Sequence, residues 1–187
     1  MTINERLQYI SQISLKFDYD NYLKSEGKSL IIFEIDTINS RYKLFYGKDK
    51  DELVNQANEK YFDAKAGYLF DLKTQFKTGV EADLLLLADV VLNSNPIDLD
   101  TMIVHELTHF MIESGRTDLI NLSENAKILG DDLYKLTDRC NEDRTRHTEI
   151  FCKVLSQLCI NYNQATHNFI SNFDVMKSAM RFDIFED

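Results

Sequence analysis

TMIVHELTHFMIE, residues 101–113, sets two histidines and a glutamate into an otherwise almost continuous apolar run. After Asn95-Pro96 the chain turns helical: Asp98 or Asp100 can cap the orphan amides of a helix through this stretch, and Ser114-Gly115 supplies a stop. On that helix His105 and His109 are four residues apart, an advance of about 400°, so both imidazoles leave the same side one turn apart. Glu106 lies about 100° around from His105. Ile103, Val104, Leu107, Phe110 and Met111 cover most of the remaining circumference, so the helix is expected to be buried. Burying two imidazoles and a carboxylate then needs a reason.

A metal ion supplies one. Zinc suits two neutral nitrogens and leaves room for a third ligand and a water. Glu106 sits beside the ion, where a base for a metal-activated water belongs. The competing reading is a pair of core histidines hydrogen-bonded to their neighbours.

The third ligand is sought among His147, His167, Glu113 and Glu124. In HTEIFCKVLSQLC (147–159) a helix of about Thr145 to Asn161 places Phe151, Val154 and Leu158 within about 40° of His147. His147 therefore falls in the apolar stripe facing the core, and the first turn of a helix favours a neutral imidazole. A hydrogen-bonded core histidine is the alternative. Glu124 would complete a thermolysin-like arrangement but lies opposite a stripe of leucines. Glu113 reads as a group behind the site or a solvated one, and His167, in ATHNF, as a surface residue.

Working outward, residues 3–15 space Ile3, Leu7, Ile10 and Ile13 or Ser14 as an amphipathic helix. SLIIFEI (29–35) and RYKLFYG (41–47) read as strands around a polar turn at Asn39 and Ser40, and residues 49–63 tolerate a helix. GYLFDLKTQF (67–76) and ADLLLLADVVL (82–92), broken at Lys77, Thr78 and Gly79, suggest a hairpin with one well-buried strand; the second run is strand at least in its first part. A further helix is read from Leu119, Leu122, Ala126, Leu129, Leu133 and Leu136, weakened at Gly130 by about 1 kcal/mol relative to Ala. Phe169, Phe173, Phe182 and Phe185 mark a tail expected to pack on the body. The fold class is α+β: a small antiparallel or mixed sheet packed against a helical half that carries the His-Glu-x-x-His helix. One domain, 1–187, is expected, with an N-terminal helix and strands (1–65), a core (66–160) and the tail (161–187).

Composition narrows the rest. The chain has 187 residues, 44% of them hydrophobic, enough for a core without cross-links. The net charge of -10 repels polyphosphate, so nucleic acid is not the partner that charge favours. Arg139, Arg144 and Arg146 are interleaved with Asp138, Glu142 and Asp143 and read as a mixed-charge loop. Cys140, Cys152 and Cys159 form no Cys-x-x-Cys pair, and the start lacks the shape of a secretory leader, so a reducing cytoplasm is expected, with no membrane partner.

Two segments, VHELTHF on its apolar helix and HTEIFCKVL, resemble the SprT-like (Spartan-type) zinc metallopeptidase family. The second is similar to the family's downstream His-Gly-x-x-Phe segment, with His147 and Phe151 in the matching places and Thr148 where the family has Gly. The resemblance spans roughly residues 65–160, with an extra helix between His109 and His147. It implies Zn2+ held by His105, His109 and His147, Glu106 as general base, and a strand-rich front half. It also keeps nucleic acid among the partners to consider.

The function expected is hydrolysis of peptide bonds in a protein or peptide substrate. Tyr134, Arg139, Arg144 and Arg146 are near enough in sequence to steady an oxyanion, with none distinguished by spacing. Two rivals stand beside it: a gluzincin-like regulatory peptidase with Glu124 as third ligand, and a non-enzymatic zinc-stabilised binding module with a closed site.

Overall fold

The structure is a computed structural model and describes residues 1–48, 52–60, 66–69, 76–139 and 147–168. The expected tail phenylalanines, Cys140, Arg144 and Arg146 lie outside these residues.

The N-terminal helix is present as α1 (Ile3–Ile10), and it runs on as a π-helical turn over Ser11–Leu15. A capping box starts it: the Glu5 amide donates to the Thr2 hydroxyl while the Thr2 amide donates to the Glu5 carboxylate. The wider π turn brings Ser11, Ser14 and Leu15 to the buried side in succession to Leu7 and Ile10. Short α2 (Tyr19–Ser25) follows.

β1 (Ser29–Asp36) and β2 (Arg41–Tyr46) are the expected antiparallel pair. The turn between them is held by the Asp36 carboxylate, which accepts from the Asn39 amide at 3.0 Å, and by Ser40 in left-handed backbone. β3 (Ala66–Leu69) and β4 (Ala82–Ala88) pair antiparallel, the hairpin partners foreseen. The four strands are ordered β2-β1-β4-β3, and β1 with β4 is a parallel pair running from Ser29↔Ala82 to Ile35↔Ala88. The sheet is therefore mixed. Both central strands are covered on two sides, which explains why LIIF and LLLL are apolar without alternation. Asp83, fully buried in β4, is held by Lys28 at 2.9 Å and by the Tyr19 hydroxyl at 3.0 Å.

α3 (Glu52–Lys60) lies along β2, an outer strand of the sheet. Its Asn58 side chain pairs with both backbone groups of Tyr42, accepting at 2.8 Å and donating at 3.0 Å. Gln56 does the same to Lys77.

The run 82–92 divides as expected: strand first, then a single turn, α4 (Asp89–Leu92). α5 (Pro96–Glu113) carries the motif. Its cap corrects the sequence reading: the Asn95 side chain accepts from the Asp98 amide at 3.0 Å, with Pro96 in the first turn where its missing N–H is no loss. Asp100, the other expected cap, instead faces inward, accepting from Arg6 at 2.7 Å and from the Tyr162 hydroxyl at 2.6 Å. Gly115, at φ 69°, ends the helix with the expected stop.

The next helix, α6 (Glu124–Arg139), begins later than the leucine spacing suggested. Thr117–Leu119 form a 3-10 turn and Leu119 is exposed, because Ser123, whose hydroxyl accepts from the Ala126 amide, sets the start. α7 (Glu149–Thr166) also starts later than expected and ends later. α6 and α7 meet at Gly130, whose absent side chain leaves the space taken by the Lys153 backbone. Among the described residues, no helix is long and apolar enough to cross a membrane.

Candidate metal centre

Every residue of α5 from Leu99 to Met111 is buried, and His105, Glu106 and His109 are at most 2% exposed. The Thr108 hydroxyl, between the histidines, donates back to the Val104 carbonyl at 2.9 Å. The His105 and His109 ring centres are 5.0 Å apart, as the four-residue spacing requires.

His147 arrives from a separate segment. It lies one residue before the α7 cap, Thr148, so it is not in the first helical turn and its inward aim does not come from helical phase. The chain's approach to the cap sets it. Even so the ring is 2% exposed, and its centre is 5.2 Å from that of His105 and 5.3 Å from that of His109. One nitrogen from each of the three rings falls within 4.8 Å of the others. The Nε2 atoms of His105 and His147 are 3.3 Å apart.

That separation is a test of fit. Two nitrogens each about 2.0–2.1 Å from a tetrahedral ion stand roughly 3.3 Å from one another. An N–H···N hydrogen bond between the two rings would span a similar distance. Three imidazole nitrogens converging in an apolar surround could hold a divalent ion of the zinc type, and the donor set suits it.

The other candidates do not join the group. Glu124 opens α6 with its side chain 83% exposed and ion-paired to Lys127 at 2.9 Å. Glu113 and His167 are exposed, the latter as the left-handed cap of α7. Tyr134 packs half-buried against the core, and Arg139 is the last residue of α6.

Two features were not legible as parts of the site. Phe151 sits with its ring against all three imidazoles, 4.4 Å from His109, 4.9 Å from His147 and 5.2 Å from His105 between ring centres. Spacing alone marked it only as a core position. The second is the buried tie from Arg6 through Asp100 to Tyr162, which joins α1, α5 and α7. An aspartate in the apolar circumference of α5 was the available sign.

No family model, curated protein or solved structure matches the chain. The likeness to the SprT-like family thus rests on the two segments quoted.

Proposed function

We propose that the chain is a zinc-dependent peptidase in which His105, His109 and His147 would hold the ion and Glu106 acts as general base. The observation that supports it is the arrival of His147 beside the His-Glu-x-x-His pair from an independent segment, at the nitrogen spacing of a tetrahedral site. A zinc ion in such a site acts as a Lewis acid and makes water acidic enough to react near neutral pH. The chain's own part falls to Glu106, whose carboxylate takes the proton from the attacking water and returns it to the departing amine. Phe151 and the apolar face of α5 keep bulk water from the imidazoles. The net charge of -10 favours a basic or flexible protein as substrate.

Glu106→Gln tests this directly. Elemental analysis should find one zinc per chain in both proteins, while hydrolysis of a denatured protein substrate should fall by about 10²–10⁴-fold in the variant. One observation favours a second reading, a zinc-stabilised binding module: His105, Glu106, His109 and His147 are all at most 2% exposed. That reading expects bound zinc and no hydrolysis by the unmutated chain. Against it, a structural site takes four protein ligands, and three are grouped among the described residues.

A further inference from the structure

We propose that Thr148 is a positioning residue for His147: its hydroxyl fixes the backbone at the root of that side chain and so helps set the affinity of the three-histidine group for a divalent ion. The inference rests on the metal reading above and concerns how one of the three ligands is delivered.

His105 and His109 take their direction from α5, a continuous helix of 18 residues that fixes where each Cβ points. His147 has no such frame, because it stands one residue before the α7 cap. Its direction follows from the short stretch of backbone that leads into the helix. Thr148 is extended there, at φ -68° and ψ 164–170° rounded in the structure to 170°, and the first turn of α7 grips it. Its hydroxyl accepts from the Phe151 amide at 3.3 Å, and its carbonyl accepts from the Cys152 amide at 3.0 Å. The His147 carbonyl in turn faces the Cys152 thiol at 4.0 Å. The turn that makes these bonds is itself anchored, since Phe151 and Cys152 are fully buried. The contacts of the His147 ring, the 3.3 Å approach to His105 included, therefore act on a side chain whose root is already held.

Of these ties the hydroxyl is the one that a substitution can remove without touching the backbone. The Phe151 amide is among the donors that a helix start leaves without an intrahelical partner. Once it loses the hydroxyl, the first turn of α7 frays more readily, and His147 is the next residue along the chain. At α5 the same event is harmless to the site: the cap, Asn95, accepts from the Asp98 amide at 3.0 Å, and His105 lies almost three turns further on.

The experiment compares the whole chain with Thr148→Ala, Thr148→Ser and Asn95→Ala. Zn2+ affinity is measured by chelator competition, and Co2+ is titrated to record the visible spectrum of its site. Thr148→Ala should bind Zn2+ about 5–30-fold more weakly, with altered Co2+ bands, while Thr148→Ser keeps the acceptor and should match the unmutated chain. Asn95→Ala should lower the urea midpoint as Thr148→Ala does, yet leave both metal readouts unchanged. Unchanged affinity in Thr148→Ala, or an equal loss in Thr148→Ser or Asn95→Ala, would overturn the positioning role. A measurement without any variant covers failure of Thr148→Ala to fold. Coupling is reciprocal, so an ion that draws on His147 must tighten the cap beside it, and Zn2+ should slow hydrogen exchange at the Phe151 amide more than at the Asp98 amide. Equal slowing at the two caps, or none, would overturn the proposal as well. If the unmutated chain takes up neither ion, the metal reading falls, and this inference falls with it.

Discussion

The Nε2 atom of His105 lies 3.3 Å from the Nε2 atom of His147, across 42 positions of sequence. An ion shared by these rings would bind the folded chain and not the unfolded one, so it would stabilise by mass action. With free zinc at about 1,000 times Kd the gain is about 4 kcal/mol, or very roughly 8–16 °C in melting temperature for a chain of this size. Thermal unfolding with and without chelator should show that difference in the unmutated chain and lose it in His147→Ala. Glu124→Ala should leave the difference intact, since that carboxylate is solvated and paired with Lys127.

Gly130→Ala is expected to destabilise the chain although alanine is the better helix former by about 1 kcal/mol. A Cβ at this position would stand 2.5 Å from the Lys153 Cα and 2.7 Å from its amide nitrogen, so α6 and α7 would have to separate. Overpacking of this kind costs about 1–3 kcal/mol, and the urea midpoint should fall.

Tyr162→Phe removes the hydroxyl that donates to Asp100 at 2.6 Å and, among the described residues, leaves the carboxylate to Arg6. A hydrogen bond to a charged, largely buried acceptor contributes about 1.5–3 kcal/mol, and equilibrium unfolding should register a loss of that size. Burial, followed by the Asp100 carboxylate, pushes the Tyr162 phenol well above its ordinary range. In the unmutated chain it should therefore stay un-ionised through alkaline titration until the fold opens.

Asp36 offers a test by pH. The Asn39 side chain first, then Lys43 and the Asn39 amide, hold its carboxyl well below the usual carboxylate range. Because the folded value is depressed, the folded chain binds fewer protons than the unfolded one as acid is added. The group's contribution is then complete above its ordinary value of 3.8 and is lost as pH falls below it. Asp36→Asn should be less stable than the unmutated chain near neutrality and approach it in acid, a convergence readable from unfolding curves at a series of pH values.

Periodicity carried most of the fold. Where one face or both were apolar, as in α1, β1, β4 and α5, the element was visible and fell within a few residues of its place. The misses came at helix starts, because an N-cap is chosen by a single local hydrogen bond that spacing does not register: Asn95 took the place of Asp98, Ser123 delayed α6, and Thr148 put His147 outside its helix. His147 still reached the α5 pair because the capped start of α7 is itself buried there by Phe151. The parallel pairing of β1 with β4 was not legible, since register between residues 53 positions apart, as in Ser29↔Ala82, depends on packing, and a fully buried strand has no alternation to announce its neighbours.

The carboxamide of Asn58, doubly bonded to the Tyr42 backbone, stands in for one residue of a missing neighbour beside β2. A bare margin there would invite other chains to add on and grow into insoluble ribbons. With that position satisfied from within the same molecule, α3 closes part of the margin that β2 would otherwise offer to another strand.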